Sequence, residues 1–240
     1  MWDAQADALR DFDDVVRVEH PGHGGEPMIE LKDVGDLARY VLARVQAERF
    51  SFVGLSLGGA VGMQLALDAP ERIDRLVLAC TSSRFGSPDT WDERIELARA
   101  KGMEAIADVV LPRWFTPGFE DVQRYRAMFV SMPPETYVRY CEILREFDLR
   151  GRLGAIHAPT LAIAGAEDPT SPPELLEALA AEIPDASVVV IRHAAHLANV
   201  ERPADFNRSL LSHLTLGSVL SRSTESPRSG KKPVDETWKT

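Results

Sequence analysis

A serine between glycines is the first residue of this sequence whose position suggests chemistry. Ser56 is the centre of GLSLG, residues 54–58, which follows an apolar run that predicts a strand and precedes a run that predicts a helix. This spacing is typical of a nucleophile elbow, a strained turn that exposes the serine hydroxyl while small neighbours let the strand and the helix come close. A glycine-rich turn without chemistry has the same composition, so the interpretation depends on partners for Ser56.

Those partners must be a base and an acid, because a serine hydroxyl is a weak nucleophile near neutral pH. Asp168 comes shortly after one predicted strand, and His196 comes shortly after the next. The order Ser56, Asp168, His196 is the order that a strand-to-helix nucleophile of this kind requires. The sequence therefore predicts a serine, histidine and aspartate that act together.

Two neighbours compete for these roles. Glu167 adjoins Asp168, and His193 precedes His196 by three positions. A carboxylate or histidine in a loop is usually a solvated surface group, and only chain order and a place after a strand argue otherwise. We favour Asp168 and His196 and keep Glu167 and His193 as alternatives.

The elements around these residues predict an α/β fold. Short apolar strands alternate with helical patterns, which is typical of a mostly parallel sheet covered by helices on both faces. The predicted strands are residues 15–18, 50–55, 75–79, 160–164 and 187–191.

The helical pattern also divides the chain. Residues 86–150 hold only helical patterns separated by prolines, so we expect a helical cap inserted into a core made of residues 1–85 and 151–216. Residues 217–240 have few sizeable apolar side chains and carry a net positive charge, which predicts a disordered tail.

The composition argues against several partners. Lys and Arg number 27 and Asp and Glu 37, so the formal net charge is −10. An acidic chain repels phosphate backbones, and nucleic acid is not an expected partner. Cys80 and Cys141 have no metal-ligand spacing, which predicts neither a zinc site nor a disulfide framework and favours a reducing, cytoplasmic setting.

No membrane association is expected either. The longest uncharged stretch, residues 50–67, contains glycines and polar side chains, so we interpret it as a strand, a turn and a helix. The acidic N-terminal residues lack the basic and apolar regions of a secretory signal.

Several segments resemble the α/β-hydrolase family. They are GHG at residues 22–24, GLSLGG at 54–59, APTLAIAGAEDPTSPP at 158–173 and AAHLANVERP at 194–203. More narrowly, MWD at the start, residues 82–95, and RWFTP at 113–117 look like 3-oxoadipate enol-lactonases. A serine at position 56 argues against the dehalogenase and epoxide-hydrolase branches, which have aspartate there.

The resemblance implies hydrolysis of a small, carboxylate-bearing enol-lactone through an acyl-enzyme on Ser56, without a metal or cofactor. It implies that the N–H of Leu57 supplies half of an oxyanion hole. An anionic substrate needs a local cation in a chain of net charge −10, and Arg113 and Arg84 are the candidates, with Trp114 closing over the ring. The alternative is that these three residues do not bind substrate, and that the two arginines lie on the surface and the tryptophan in the core.

The resemblance also implies that something precedes the first residue. Residues 15–18 correspond to the fourth strand of the family fold, so the first three strands and the second oxyanion donor are expected upstream of Met1. We then expect residues 15–18 either to be separated from strand 50–55 by an empty slot or to pair with it directly. A general carboxylesterase, a cofactor-free perhydrolase, and a catalytically silent fragment or binding scaffold remain alternatives.

Overall fold

Four short strands form one parallel sheet in the computed structural model, which describes residues 1–11 and 15–222, with residues 216–222 described by their backbone alone. Neighbouring strands pair in chain order, β1-β2-β3-β4. The strands are β1 (Phe50–Leu55), β2 (Ile73–Ala79), β3 (Thr160–Gly165) and β4 (Ala186–Ile191). The predicted parallel sheet is confirmed, and all four strands lie where apolar runs predicted them.

Helices connect and cover these strands. They are α1 (Asp3–Ala8), α2 (Val34–Leu42), α3 (Leu57–Asp68), α4 (Pro88–Trp114), α5 (Val122–Val130), α6 (Pro134–Glu146), α7 (Pro173–Glu182), α8 (Ala198–Glu201) and α9 (Pro203–Arg222). Short 3-10 turns occupy Pro70–Arg72 and Leu153–Ala155. No helix among the described residues is long and apolar enough to span a bilayer, and residues 50–67 are divided between β1 and α3.

Strand β3, inside the sheet, is buried on both faces. On one face, Ala162 and Ala164 of β3 form a small cluster with Leu176 of α7. Leu161 and Ile163 point the other way, because successive side chains of a strand alternate, and they belong to the main core together with residues of α9. Every residue of β3 is buried, which is typical of a parallel strand covered by helices on both sides.

The predicted strand at residues 15–18 is wrong. This segment has no strand assignment, and Val15 and Val16 are 44% and 55% exposed. In the described part of the chain β1 pairs with β2 and with no second strand, so direct pairing of residues 15–18 with β1 does not occur. A strand needs a neighbour for its ladder of hydrogen bonds, and β-branched residues alone do not supply one.

The C-terminal segment also departs from expectation. Helix α9 continues to Arg222, so residues 217–222, predicted to be part of a disordered tail, have a helical backbone. The remainder of that predicted tail, residues 223–240, lies outside the described residues.

Helices α4, α5 and α6 lie between β2 and β3 in the chain, which matches the position predicted for the helical insertion. Helix α4 is bent at Gly102, where φ is 74° and ψ is −174°, values that interrupt a helix. The Trp114 ring meets Phe129 of α5 edge to face at 5.1 Å, and Phe129 meets Tyr137 of α6 at 5.6 Å. These aromatic contacts join the three helices of the insertion.

The insertion also packs on the GHG loop. The hydroxyl of Tyr140 in α6 donates to the carbonyl of Pro21 at 2.9 Å, and the His23 ring lies 5.0 Å from the Tyr140 ring. His20 lies beside both rings, and its Nδ1 is buried without a hydrogen-bond partner. Burial, with a smaller effect of His23, lowers the pKa of His20 to about 4. The histidines of this loop are therefore packing residues that favour the neutral form.

We predict that the protein loses stability as the pH falls from 6.5 to about 4. In this window the unfolded chain protonates His20 and the folded chain does not, so protonation favours unfolding. The pKa of Asp148 is lowered from 3.8 to about 2 by its bonds to Arg150, so Asp148 affects the pH dependence of stability only below this window. Denaturant unfolding at several pH values measures the effect.

His20→Gln should weaken this pH dependence without abolishing it, because burial also lowers the pKa of His23 and His213. The matched control is His157→Gln, which removes an exposed imidazole and should leave the profile as it is. Equal pH profiles for His20→Gln and wild type would contradict the assignment.

Candidate active site

Ser56 occupies the sharp turn between the end of β1 and the start of α3. Its φ of 55° and ψ of −116° lie outside the regions that a non-glycine residue normally adopts, and such a conformation costs about 1–3 kcal/mol. Strand β2 and the segment just after it hold Ser56 there. The Ser56 N–H donates to the carbonyl of Ala79, the last residue of β2, at 2.8 Å, and the hydroxyl of Thr81, beyond β2, donates to the Ser56 carbonyl at 2.8 Å. The predicted elbow is thus present as a strained turn.

Glycines make this turn possible. A Cβ added to Gly54 would stand 2.1 Å from the carbonyl oxygen of Gly58, which is backbone and cannot move aside. A Cβ on Gly59 would stand 2.6 Å from the side chain of Thr81. Only residues without a side chain at these positions let α3 begin directly against β1 and β2.

The three side chains singled out from the sequence meet. The His196 Nε2 lies 2.9 Å from the Ser56 Oγ, and its Nδ1 lies 2.8 Å from the Asp168 Oδ2. A carboxylate is an acceptor, so Nδ1 carries the proton and Nε2 is left to accept from the serine hydroxyl. Asp168 and His196 are 2% and 3% exposed, which shields their bond from competing water.

The loop after β3 orients Asp168. The backbone N–H groups of Thr170 and Ser171 donate to its Oδ1 at 2.7 and 3.1 Å, which leaves Oδ2 for His196. Ser171 in turn donates its hydroxyl to the Cys80 carbonyl at 3.2 Å. The carboxylate is therefore fixed by its own loop and by the end of β2.

Cys80 lies beneath this loop. It has a φ of 44° and is completely buried, and its N–H donates to the Ile163 carbonyl at 2.8 Å. Burial, with a smaller contribution from nearby Asp168, raises the pKa of the Cys80 thiol to about 12. The thiol is neutral at physiological pH, so it packs rather than reacts.

The loop that carries His196 follows β4 and is anchored on two sides. A Cβ on Gly165, at the end of β3, would stand 2.1 Å from the Ala195 carbonyl oxygen, so this loop crosses β3 in direct contact. The Leu197 N–H donates to the Trp114 carbonyl at 3.0 Å. The position of His196 thus depends on the sheet and on the end of α4.

Glu201, a residue to which sequence reasoning assigned no role, also holds this loop. One carboxylate oxygen accepts from the Ala195 N–H at 2.6 Å. The other accepts from the backbone N–H and the hydroxyl of Thr116 at 2.8 and 2.6 Å. Its only signal in the sequence is its place in AAHLANVERP, which marks a resemblance without indicating a contact.

The two competing neighbours lie elsewhere. His193 and Glu167 face each other at 3.7 Å, with side chains 74% and 49% exposed. Within the described part of the chain, neither forms a hydrogen bond or ion pair with Ser56. The structure therefore brings Asp168 and His196 to the serine and leaves Glu167 and His193 on the surface.

Leu57 begins α3, so its N–H has no acceptor within the helix. The N-terminus of a helix also carries partial positive charge. An N–H of this kind next to Ser56 suits an oxyanion that forms during attack on a carbonyl.

The three predicted substrate contacts differ in placement. Trp114 is half-buried. It lies beside the His196 loop, because its carbonyl accepts a hydrogen bond from the Leu197 N–H. Arg84 is half-buried and forms a backbone bridge with Asp148, and Arg113 is exposed on α4. Among the described residues, no hydrogen bond or ion pair joins either arginine to the Ser56 site.

These features together define a class of protein. A parallel sheet between helices, a serine at a strand-to-helix turn, and an aspartate and a histidine on the loops after later strands make up the α/β-hydrolase arrangement. Residues 1–209 match the model of the α/β-hydrolase family. The chain belongs to this family.

Its relatives include lactonases and esterases. It is 32% identical over 219 residues to 3-oxoadipate enol-lactonase 2 of Acinetobacter baylyi, covering 88% of this chain and 82% of that protein. The structure of the enol-lactonase from Burkholderia xenovorans LB400 is 34% identical, with a TM-score of 0.85 over 89% of this chain and 85% of that one. A thermophilic esterase from Thermogutta terrifontis is 30% identical, with a TM-score of 0.81 over 89% and 84% of the two chains.

The close contact between β1 and α3 at the elbow predicts different effects of two glycine substitutions on the stability of the protein. Gly54→Ala forces a methyl group against the Gly58 backbone and should lower the free energy of unfolding by about 3 kcal/mol. Gly58→Ala is the matched control, since its Cβ would meet nothing within 4 Å, and it should leave stability unchanged or raise it by up to about 1 kcal/mol. Denaturant unfolding measures the stability of both variants. Equal stabilities would show that Gly54 is not in close contact with the Gly58 backbone.

The geometry also predicts which carboxylate accepts the hydrogen bond from His196 Nδ1–H during catalysis. Asp168→Asn puts an amide where Nδ1–H needs an acceptor, and the rate at which a fluorophosphonate labels Ser56 should fall on the order of 10³–10⁴-fold. Glu167→Gln is the control, because the Glu167 side chain is exposed and faces His193 rather than His196, and its labelling rate should stay close to that of wild type. The reverse ranking of the two variants would assign the role to Glu167.

Proposed function

We propose that this α/β-hydrolase opens a small, carboxylate-bearing lactone of the enol-lactone type through an acyl-enzyme on Ser56. The observation that carries the proposal is the hydrogen-bonded chain Ser56–His196–Asp168, with distances of 2.9 and 2.8 Å. A base is in place to take the serine proton, and the base is itself oriented by a buried carboxylate.

In the first half of the proposed reaction, Ser56 Oγ attacks the lactone carbonyl while His196 Nε2 takes its proton. The negative charge that forms on the carbonyl oxygen is stabilised by the N–H of Leu57, and Asp168 stabilises the imidazolium. Collapse of the tetrahedral intermediate breaks the ring C–O bond, and His196 returns the proton to the departing oxygen. An enol is a better leaving group than an alkoxide, so this protonation is less demanding than in an ordinary ester.

In the second half, water attacks the acyl group on Ser56. His196 takes a proton from the water and returns it to the serine oxygen as the acyl bond breaks. The net change is the addition of one water molecule to the lactone, which yields a carboxylate and an enol that rearranges to a ketone. His196 carries every proton transfer in the formation and the hydrolysis of the acyl-enzyme.

Two relatives support the substrate class, since proteins 32% and 34% identical to this chain are named as enol-lactonases. A carboxylate on the substrate must enter a chain of net charge −10, so a cation near the pocket is needed. We propose Arg84 and Arg113 for this role and Trp114 for contact with the ring. Trp114 is the best supported of the three, because its carbonyl bonds the residue next to His196.

A general carboxylesterase is the second candidate. The same three catalytic groups serve ester hydrolysis, and a relative with 30% identity is named as an esterase. A perhydrolase uses the same groups with hydrogen peroxide in place of water. Substrate preference rather than the triad separates these activities.

The test is a panel of enol-lactones and simple esters, each with and without a carboxylate, assayed with wild type and Ser56→Ala. We expect the carboxylate-bearing lactone to have the highest kcat/KM. In Ser56→Ala, the rate should fall to a residual value about 10³–10⁴-fold above the uncatalysed rate in water. Fluorophosphonate labelling should be lost altogether. Replacing Arg84 or Arg113 by Gln should raise KM for the anionic substrates alone.

The outcomes separate the alternatives. Preference for neutral esters would favour the carboxylesterase, and peroxide-dependent products would favour the perhydrolase. A folded wild-type protein that is not labelled and turns over no substrate in the panel would support a catalytically silent protein instead.

A further inference from the structure

Glu201 joins two parts of the molecule that are far apart in the chain. Its Oε2 accepts from the Ala195 N–H at 2.6 Å, beside His196, and its Oε1 accepts twice from Thr116, just beyond the end of α4. Bonds to an ionised carboxylate are shorter and stronger than bonds between neutral groups. The carboxylate thus links the His196 loop to the helical insertion across 85 residues of sequence.

A second contact ties the same two segments. The Leu197 N–H donates to the Trp114 carbonyl at 3.0 Å. The residues immediately before and after His196 are therefore both tied, one through Glu201 and one directly, to residues 114–116. This leaves the imidazole little freedom to move away from Ser56.

From these contacts we infer that Glu201 is a positioning residue, which holds the His196 loop against the helical insertion so that Nε2 meets the Ser56 hydroxyl. The inference rests on the proposed function, since it concerns the same three catalytic groups. Among the residues that the structure describes, Glu201 forms no hydrogen bond or ion pair with Ser56 or with the His196 ring, so it acts through the backbone of the loop.

The role requires a carboxylate. All three partners of Glu201 are donors, two backbone N–H groups and one hydroxyl, and they approach from both oxygens. A glutamine has one oxygen and one NH₂ group, so its NH₂ must face a donor on one side. An aspartate is one methylene shorter and cannot reach both segments from the same backbone position. Glutamine is therefore the nearest substitution in shape that breaks the link on one side.

The test measures kcat and KM on the preferred substrate of the panel and the rate of fluorophosphonate labelling, for wild type, Glu201→Gln and Glu177→Gln. A small displacement of a catalytic group costs about a hundredfold in rate, so for Glu201→Gln we expect kcat and the labelling rate to fall between about tenfold and a hundredfold. KM should change little, because Glu201 does not bind substrate. Glu177→Gln, an exposed position on α7, is the control and should match wild type.

A second variant covers the case in which Glu201→Gln does not fold. Thr116→Val removes the hydroxyl donor and keeps the backbone N–H, so we expect a smaller fall in kcat with unchanged KM. Combined in one chain, the two substitutions should be less than additive in their effect on kcat, because they break the same link. Wild-type kcat in both variants, with only a lower melting temperature, would overturn the inference and leave Glu201 a purely structural residue.

One measurement does not depend on turnover. We expect the proton between His196 Nδ1 and Asp168 to give a downfield resonance in a proton NMR spectrum, because it lies in a short hydrogen bond to a carboxylate. This resonance should shift or broaden in Glu201→Gln and not in Glu177→Gln. If wild type neither reacts with the fluorophosphonate nor turns over substrate, the proposed function fails, and this resonance still tests whether Glu201 positions His196. An unchanged resonance in Glu201→Gln would contradict the positioning role.

Discussion

The close approach of β1 and α3 at Ser56 is the constraint on which the rest of the site depends. The backbone turns so sharply that Ser56 takes a φ of 55°, and a side chain at Gly54 would collide with the Gly58 carbonyl. Hydrogen bonds of the Ser56 N–H to Ala79 at the end of β2, and of the Ser56 carbonyl to Thr81 just beyond it, hold this strained turn in place. The hydroxyl is thereby fixed at the carboxyl end of the sheet, where the loops after the later strands converge.

Those loops meet the serine because parallel strands end at the same edge. Asp168 follows β3 and His196 follows β4, and the two loops are bonded to each other, to Cys80 at the end of β2, and to the helical insertion. Burial of the aspartate and the histidine keeps water from their bond. Each group therefore has its geometry set by a neighbour from a different part of the chain.

The helical insertion contributes more than a cover. Its aromatic contacts join α4, α5 and α6. At the end of α4, Trp114 bonds the backbone of Leu197 directly, and Thr116 is linked to the backbone of Ala195 through Glu201. The same insertion packs on the GHG loop through Tyr140, where burial disfavours charge on His20. The position of His196 and the predicted pH dependence of stability therefore both depend on this group of helices.

Much of the site was predictable from local sequence. Glycine spacing identified the elbow at Ser56, and position after an apolar strand identified Asp168 and His196, because both signals depend only on neighbouring residues. Residues 15–18 read as a strand and are not one, since a strand also needs a partner beside it. Tertiary structure alone decided that Glu167 and His193 face each other on the surface, that Arg113 is exposed, and that Glu201 meets Thr116. Contacts of this kind join segments that are distant in the chain, and a local sequence pattern does not show which distant residue will make the contact.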